Sequence, residues 1–517
     1  MVRSKTVAPS SDRGPRLKVL LAAAEAAPLA KVGGLAEFTV ALPKALRSLG
    51  VDARLIIPRY GDRQPSGSLK GDAKARKVGS SLEVPAGAGS EPAQLLETSL
   101  HGVPVYLIHN DQHFGNRERV YGFNDDPQRF VYFSRAVIAA LRALPQQVDA
   151  TDPEAQTPWI PDVIHTNDWH TAPITAWLDT YGRRIAPYGG IASLFTIHNV
   201  AYRGLCGRLL LSYGQMMDLP HLSVELPGKV NWLAQGIAHA EVVTTVSPTH
   251  ARELLSEEMV GDLQPLLDER RQHVFGILSG IDTDLWDPST DEALPQTYDA
   301  DALKMRSVNK TVLQRELRLP TDLDIPLLGI VSRLDPLKGL DLLFQAFEQL
   351  LETREVHFVL LGTGDEDLGQ RAQALQSRHP QSVRALIRFD ERVARRIYAG
   401  ADLFAMPSQY EAVSVGVMTA MRYGAVPLVH AVGGLADTVI DADADPERGS
   451  GFTFTSHTAT AVAEALARAL AAYDDRSRWS ALQRRVMSRD FSWAMSAKAY
   501  LDLYERARML KQSAAPG

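Results

Sequence analysis

Residues 17–50 read LKVLLAAAEAAPLAKVGGLAEFTVALPKALRSLG, and this stretch decides the fold class. Leu17–Ala23 is a short apolar run that predicts a strand, and Pro28–Gly34 is a loop with a glycine pair. Leu35–Leu49 has the apolar spacing of a helix, and Val51–Pro58 predicts the next strand. This order is that of a βαβ unit, in which the two strands pair in parallel through a right-handed crossover.

Strand-like runs alternate with helix-like segments along the rest of the chain. One series lies at Val103–Ile108, Asp162–Thr166, Ser193–Ile197 and Val242–Val246, and a second at Leu327–Val331, His357–Leu361, Ala385–Phe389, Leu403–Met406 and Val426–Val429. The sequence therefore predicts two doubly wound α/β halves. Ligands of such sheets bind outside the carboxyl ends of the strands, so the polar residues that follow the strands are expected to converge there.

The interruptions of this pattern predict the domain organisation. We expect a disordered tail at 1–16, a first Rossmann-like domain at 17–280, a linker at 281–320, a second Rossmann-like domain at 321–490, and a C-terminal helix and tail at 491–517. The polar stretch 61–95 indicates a hairpin or a surface excursion. Trp493, Tyr500 and Tyr504 in the last helix are predicted to be packing residues.

The amino-acid composition of the chain argues against several classes of function. The chain has 517 residues, of which 45% are hydrophobic and 22% charged, as in ordinary globular proteins. Its net charge of -6 gives no support for nucleic-acid binding. No apolar run approaches the roughly 20 residues of a membrane span, and residues 1–16 lack the apolar core of a secretory signal. The single cysteine, Cys206, excludes an intrachain disulfide, so we expect a cytoplasmic protein.

A short repeat links the two halves. KVGGLAE at Lys31–Glu37 recurs as AVGGLAD at Ala431–Asp437, each ahead of a helix-like segment. Two glycines before a helix let backbone N–H groups approach an anion at the positive helix end. A lone glycine pair is usually only a turn, but the same five residues in both halves favour a ligand shared between two facing domains.

Cations and polar side chains follow the predicted strands. Lys31 directly precedes the first glycine pair, and Arg333 and Lys338 lie in the loop VSRLDPLKGLDLL. These cations could meet a diphosphate, because arginine binds two oxygens at once and lysine acts as a point charge. The alternative is that they are solvated surface charges. Glu411, in PSQYEAVSVG, could bind sugar hydroxyls or serve only as a charge at a helix N-terminus.

Two further motifs, HTNDWH and TIHNVAYRG, contain Asp168, His170, His198 and Asn199. A metal site is not predicted here, because no single element carries paired ligands at helical spacing. Hydrogen bonding to a polyhydroxylated substrate is the favoured interpretation. Three aspartate triplets resemble metal-binding motifs but lie in acidic loops and are interpreted as solvated: Asp282–Asp284, Asp299–Asp301 and Asp441–Asp445. We expect neither a metal nor a cofactor.

The ordered motifs resemble the bacterial glycogen synthase and plant starch synthase family over roughly residues 17–505. The resemblance rests on KVGGLAE, RFVYFSRA, DVIHTNDWH, TIHNVAYRG, VTTVSPTHARE, GILSGIDTDLWDP, VSRLDPLKGLDLL, LLGTGD, ADLFAMPSQYE, RYGAVPLV and VGGLADTV. It implies the GT-B fold, an α/β fold of two doubly wound Rossmann-like domains that face each other across a cleft. It also implies a hexosyltransferase that moves glucose from ADP-glucose or UDP-glucose to the non-reducing end of an α-1,4-glucan, with retention of configuration and without a metal.

The resemblance also implies the site residues. Arg333 and Lys338 would neutralise the departing diphosphate, Glu411 would position the donor sugar, and His198 and Asp168 would lie near the reacting glucose. The implied substrate-binding residues are Glu25, Lys31, Gly33, Gly34, Glu37, His170, Asn199, Gly433 and Gly434. Among these, Lys31 and the amides of both glycine pairs are expected to contact the donor.

Some positions depart from the family pattern. Glu411–Val415 reads EAVSV where the family usually has EPCGL, and His430–Val432 stands where the family has basic residues. Two alternatives therefore stay open. One is a retaining GT-B transferase with another donor or acceptor, and the other is a weakened glucan-binding paralogue. A phosphorylase is not favoured, because no pyridoxal-phosphate lysine context is found. The sequence leaves the oligomeric state open.

Overall fold

The computed structural model describes residues 16–61, 75–146, 158–219 and 228–514. The chain forms two compact units. The first contains the residues up to Thr244, Val260–Val274 and the C-terminal residues from Ala497, and the second contains Thr245–Met259 and Phe275–Ser496. The expected tail at 1–16 lies outside the described residues apart from Arg16.

The first sheet has ten strands. The strands in chain order up to residue 276 are β1 (Lys18–Ala22), β2 (Asp52–Pro58), β3 (Arg76–Lys77), β4 (Leu82–Ala86), β5 (Gly89–Leu100), β6 (Val103–His109), β7 (Val163–Asn167), β8 (Ala192–Ile197), β9 (Leu205–Gly207), β10 (Lys229–Asn231), β11 (Val242–Thr245) and β12 (Val274–Gly276). The sheet order is β12-β11-β8-β7-β1-β2-β6-β5-β3, with β4 paired to β5, while β9 and β10 pair separately. β1 pairs in parallel with β2 and β7, which confirms the βαβ opening.

The polar stretch after β2 ends in a hairpin. β5 pairs antiparallel with β3, β4 and β6, so the predicted hairpin is confirmed where the chain is described. Residues 62–74 of this stretch lie outside the described residues.

Eight α-helices accompany these strands in the described part of the chain up to residue 276. They are α1 (Gly34–Ser48), α2 (Asp126–Ala140), α3 (Ala172–Thr180), α4 (Leu209–Tyr213), α5 (Trp232–His239), α6 (Pro248–Glu253), α7 (Glu257–Val260) and α8 (Gln264–Glu269). In α1, Leu35, Phe38, Leu42 and Leu46 are buried at helical spacing against β2. Each buried side chain of this size contributes about 1.5–3 kcal/mol. Their burial fixes the start of α1, where the first glycine pair lies.

The second sheet is all parallel. Its strands are β13 (Leu327–Val331), β14 (His357–Gly362), β15 (Val383–Ile387), β16 (Leu403–Met406), β17 (Val426–His430) and β18 (Phe452–Phe454), in the order β15-β14-β13-β16-β17-β18. The remaining α-helices are α9 (Arg306–Glu316), α10 (Leu340–Leu351), α11 (Glu366–Arg378), α12 (Glu391–Gly400), α13 (Val415–Arg422), α14 (Gly433–Thr438), α15 (Ala459–Asp474), α16 (Arg476–Met487) and α17 (Trp493–Ser513). The predicted strand Ala385–Phe389 is wrong by two residues, because Val383 is buried against Phe358 while Phe389 is 84% exposed.

The expected linker at 281–320 is a folded part of the second unit, so the linker interpretation is wrong. It contains α9, which packs against α12. The Arg395 guanidinium on α12 lies 3.0 Å from the Asp291 carboxylate and 4.3 Å from the centre of the Trp286 ring. These buried contacts fix the acidic segment onto α12 instead of leaving it as a surface connection.

The last helix packs as the sequence predicts. Tyr500 and Tyr504 are fully buried, and the Tyr504 hydroxyl lies 2.8 Å from Nδ1 of His165 on β7. Trp493 is also buried. Within the described residues, the structure contains no helix with the length and apolarity needed to cross a bilayer.

Candidate active site

Glu25, in the loop after β1, organises the first glycine turn. The residue is 4% exposed, and its carboxylate accepts hydrogen bonds from the N–H groups of Val32 at 2.7 Å and Gly33 at 2.9 Å. The Tyr121 hydroxyl donates to the other carboxylate oxygen at 2.8 Å. The Gly33 N–H is therefore directed at Glu25, which differs from the expectation that it contacts a donor.

The rest of this turn is exposed. Gly34 is the first residue of α1, and a Cβ atom added at Gly33 or Gly34 would meet no atom within 4 Å. The Lys31 ammonium lies 2.8 Å from the Glu37 carboxylate in the same turn. This arrangement leaves the start of α1 accessible, with a cation beside the positive end of a 15-residue helix.

Asp168, after β7, has φ of 56° and is 7% exposed. Its Oδ1 accepts the backbone N–H of His198 at 2.8 Å and of Asn199 at 3.3 Å. Burial raises the pKa of the Asp168 carboxyl to about 7, with a smaller contribution from the charge of Glu25 and an opposing one from the two N–H donors. In this structure Asp168 therefore positions the turn that carries His198.

The His198 ring is held by neighbours from two elements. Its Nε2 lies 2.9 Å from Oδ1 of Asn167, and the Phe38 ring of α1 meets it edge-on at 4.6 Å between ring centres. Asn199 accepts the N–H of Ala201 at 2.9 Å through its side-chain oxygen. The structure thus brings Asp168, His198 and Asn199 together, as the sequence predicts.

His170 is part of an aromatic cluster. It is 7% exposed, and its ring centre lies 4.2–4.8 Å from those of Trp169, Phe130 and Tyr121. Burial lowers the pKa of His170 to about 3, so the ring is neutral at neutral pH. Its surroundings indicate packing of the turn more than direct hydrogen bonding to a substrate.

A cavity of about 430 Å³ opens beside this cluster. Its lining consists of Trp169, Ala201, Tyr202, Arg203, Gly204 and Leu205. Tyr202 is 66% exposed. A flat aromatic surface next to the Asp168–Asn199 turn can pack against the apolar face of a sugar ring.

Lys338 and Glu411 form the centre of the second unit's polar cluster. The Lys338 ammonium lies 2.5 Å from Oε2 of Glu411, and the Ser408 hydroxyl donates to the same oxygen at 2.9 Å. The side chains of Lys338 and Glu411 are 18% and 13% exposed. Partial burial strengthens the electrostatic attraction between the ammonium and the carboxylate. Both residues lie beyond the carboxyl ends of strands, Lys338 after β13 and Glu411 after β16.

Arg333 lies in the same loop as Lys338 but is placed differently. Its side chain is 74% exposed, and its guanidinium lies 4.0 Å from the Asp335 carboxylate. The structure therefore pairs Lys338 with Glu411 and leaves the Arg333 guanidinium largely in solvent.

The second glycine turn is tightly packed. Gly433 has φ of +44°, and a Cβ atom there would lie 2.0 Å from the carbonyl oxygen of Glu411. The Gly433 N–H donates to the Glu253 carboxylate at 2.8 Å, and the Gly434 N–H donates to the carbonyl of Glu411 at 2.9 Å. Both amides are thus directed at the protein, whereas the sequence interpretation directed them at a donor.

Ser414, within the unusual EAVSV stretch, ties this stretch to α14, which begins with the second glycine pair. Its hydroxyl lies 3.2 Å from the carbonyl oxygen of Gly434 and 2.8 Å from the hydroxyl of Thr438. The departure from the family pattern is therefore accommodated by hydrogen bonds to the second glycine turn.

Sequence reasoning missed several groups that hold the site: Tyr121, Asn167, Glu253 and Ser408. Asn167 and Ser408 stand inside quoted motifs, so their position after a strand was a usable signal. Glu253 also stands inside a quoted motif, as the last residue of VTTVSPTHARE, but nothing in that motif predicts its contact with Gly433, 180 residues further along the chain. No local pattern marks Tyr121.

The aspartate triplets have roles in local structure. Asp282 accepts the N–H of Asp284 at 3.0 Å, and Asp299 accepts that of Asp301 at 3.0 Å. Asp441 lies 3.1 Å from the Arg468 guanidinium, so its interpretation as a solvated group is wrong. In the part of the chain that the structure describes, no three His, Cys, Asp or Glu side chains are arranged to hold a metal ion.

Comparison with known proteins agrees with this architecture. A family model described as starch synthase catalytic domain matches residues 18–269, and one described as glycosyl transferases group 1 matches residues 316–486. The glycogen synthase of Syntrophotalea carbinolica is 40% identical over 501 residues, covering 95% of this chain and 99% of the relative. The glycogen synthase of Thermotoga maritima is 36% identical over 496 residues, with coverage of 95% and 99%.

Among solved structures, the catalytic domain of starch synthase IV from Arabidopsis thaliana, bound to ADP and acarbose, matches with a TM-score of 0.84 and 33% identity. The match covers 96% of this chain and 100% of that chain. The two α/β units and these matches define a glycosyltransferase of the GT-B fold. Within that class, the chain belongs to the glycogen synthase and starch synthase family.

Proposed function

We propose that this protein is a glycogen synthase that transfers glucose from ADP-glucose to the non-reducing end of an α-1,4-glucan, with retention of configuration. The observation that carries the proposal is the 40% identity to a protein named glycogen synthase over 95% of this chain and 99% of that protein. Full coverage of the relative means that both α/β units correspond, together with the loops at their strand ends.

The polar cluster of the second unit supports a role at the donor. Glycosyl transfer passes through an oxocarbenium-like state while negative charge grows on the departing diphosphate. Preorganised cations directed at that charge supply a large stabilisation of the transition state. Lys338 is preorganised by its 2.5 Å contact with Glu411. The exposed guanidinium of Arg333 would bind a second phosphate oxygen. Glu411 is then left to bind hydroxyl groups of the transferred glucose.

The first unit supplies the remaining contacts in this proposal. The accessible start of α1, with Lys31 beside it, would bind the diphosphate. His198 would hydrogen-bond the reacting glucose, with Asp168 and Asn167 fixing its turn and its ring. The cavity beside Tyr202 would receive glucose units of the acceptor. Glu25 would act by holding the turn of Gly33, and not by touching the substrate.

ADP-glucose is proposed over UDP-glucose because the starch synthase IV structure is described as bound to ADP. No metal or cofactor is included in the proposal. We also propose a cytoplasmic location. With a single cysteine the chain forms no intrachain disulfide, so its folding does not require an oxidising compartment.

A second candidate function is a retaining transferase with another donor or acceptor. The observation in its favour is the stretch Ala412–Ser414, next to Glu411, where Ser414 bonds to the second glycine turn in a way the family pattern does not require.

The experiment that tests the proposal uses a panel of nucleotide sugars with glycogen as the acceptor. Nucleotide release and the size of the product are measured together. ADP release with growth of glycogen only when ADP-glucose is present supports the proposal. Transfer from another sugar nucleotide, or only to a small acceptor, supports the second candidate. Absence of transfer from every donor contradicts both.

A further inference from the structure

His430 lies at the carboxyl end of β17, ahead of the second glycine turn, and it is 6% exposed. Its Nδ1 lies 2.8 Å from the carbonyl oxygen of Ser408. Its Nε2 lies 3.1 Å from the carbonyl oxygen of Thr455. A carbonyl oxygen only accepts hydrogen bonds, so both ring nitrogens face acceptors.

The two carbonyl oxygens distinguish the neutral from the doubly protonated state of the His430 ring. A neutral imidazole has one N–H group, and its other nitrogen would point a lone pair at a carbonyl oxygen. An imidazolium has two N–H groups and satisfies both carbonyls. Leaving a buried acceptor unpaired destabilises the folded protein. The geometry therefore favours the doubly protonated ring.

The contact with Ser408 leads directly to the polar cluster. Ser408 donates its hydroxyl to Oε2 of Glu411 at 2.9 Å, and Lys338 contacts the same oxygen. The segment that carries Ser408 and Glu411 is held at two further points. His457 Nε2 lies 3.0 Å from the carbonyl of Pro407, and the N–H of Gln409 donates to the carbonyl of Leu337 at 2.8 Å.

We propose that His430 is a positioning residue that, as an imidazolium, holds the carbonyl of Ser408 and thereby keeps the Glu411 carboxylate opposite Lys338. This inference rests on the proposed function, because it assigns Glu411 a part in glucose transfer. The titratable and charged groups around the His430 ring are His457, whose ring centre lies 5.2 Å away, and Lys338 and Glu411 beyond Ser408. The Phe454 ring stacks on His430 at 5.3 Å.

The charge state is tested on the wild-type protein by ¹⁵N NMR of the histidine rings at pH 7. The His430 signals are assigned by their loss in His430→Gln. Both nitrogens with imidazolium shifts are the expected result. One non-protonated nitrogen in His430 would overturn the proposal.

The positioning role is tested by turnover and by ADP affinity. We expect His430→Gln to lower kcat by about tenfold to a hundredfold, as small misplacements of reacting groups do, with ADP affinity unchanged. His430→Arg, which keeps the charge and several N–H groups, is expected to recover part of the lost turnover. The control is His379→Gln, a half-buried histidine directly after α11 whose ring lies 3.9 Å from the Glu348 carboxylate.

The outcomes separate the two proposals. Wild-type kcat in His430→Gln would overturn the positioning role while leaving glycogen synthesis intact. A wild-type protein that transfers no sugar would contradict the proposed function, and the NMR experiment would still decide whether the ring is an imidazolium.

Discussion

At the level of single residues, the proposed stabilisation of the departing diphosphate depends on Lys338 and Arg333, two cations with different surroundings. We expect Lys338→Ala and Arg333→Ala each to lower kcat by a factor on the order of 10²–10³, with a smaller loss of ADP affinity, because in the proposed reaction both would act on charge that grows in the transition state. Steady-state kinetics on glycogen measures the effect. Arg371→Ala, an exposed arginine on α11, is the matched control and should keep wild-type kcat. Wild-type kcat in both site variants would remove these residues from the mechanism.

Glu411 has a separate prediction, because its carboxylate would touch the sugar and not the nucleotide. Glu411→Ala is expected to lose most turnover while ADP affinity, measured by calorimetry, stays close to that of the wild type. The substitution also leaves Lys338 and Ser408 without their shared partner, so the thermal midpoint is measured in parallel. Equal turnover, or a collapse of ADP affinity with little change in turnover, would contradict this role.

Asp168 carries a pH-dependent part of the stability. The carboxyl has an ordinary pKa of 3.8 in the unfolded chain and a pKa of about 7 in the folded protein. Between these values the folded state binds more protons, so the free energy of unfolding falls as the pH rises from 4 to 7. This effect amounts to about 4 kcal/mol at most.

Asp168→Asn keeps an acceptor oxygen for His198 but has no proton to release. Urea unfolding of both proteins at several pH values should therefore give a flatter profile for Asp168→Asn between pH 4 and 7. An unchanged slope over this range would show that the buried carboxyl titrates at its ordinary value.

At the level of secondary-structure elements, the two glycine turns show that the same sequence motif adopts two different backbone conformations. The motif VGGLA is the same in both halves, yet Gly33 is open and extended whereas Gly433 has φ of +44° and no room for a Cβ atom.

Gly433→Ala is expected to lower the free energy of unfolding by at least about 1–3 kcal/mol, the cost of backbone strain in this region. Gly33→Ala is the matched control, with an expected change within about 0.5 kcal/mol. Equal losses in thermal or urea unfolding would contradict this difference.

Most elements were predictable from sequence because their apolar periods are strong. The segment 281–320 was not, because its acidic and proline residues resemble a linker, while its packing depends on Arg395, about 100 residues further along the chain. In the same way, HTNDWH and PSQYE indicated where the candidate site lies, but not the direction of its hydrogen bonds. Glu25 and Glu253 accept the glycine amides, and this depends on distant parts of the chain meeting in space.

For the molecule as a whole, we expect catalysis without a divalent ion. The aspartates that resemble a metal-binding motif are committed to their own turns and to Arg468. We expect wild-type turnover in excess EDTA, measured as ADP release with glycogen present. Loss of activity that Mg²⁺ or Mn²⁺ restores would contradict the proposal that Lys338 and Arg333 stabilise the departing diphosphate without a metal ion.

The central claim is transfer of glucose to an α-1,4-glucan with retention. The most direct test is to incubate the protein with ADP-glucose and maltohexaose, separate the products by size, and determine the new linkage by ¹H NMR of the anomeric protons. The account predicts maltoheptaose and longer chains whose added units are all α-1,4-linked. Free glucose as the main product, a β-linkage, or an unextended acceptor would contradict it.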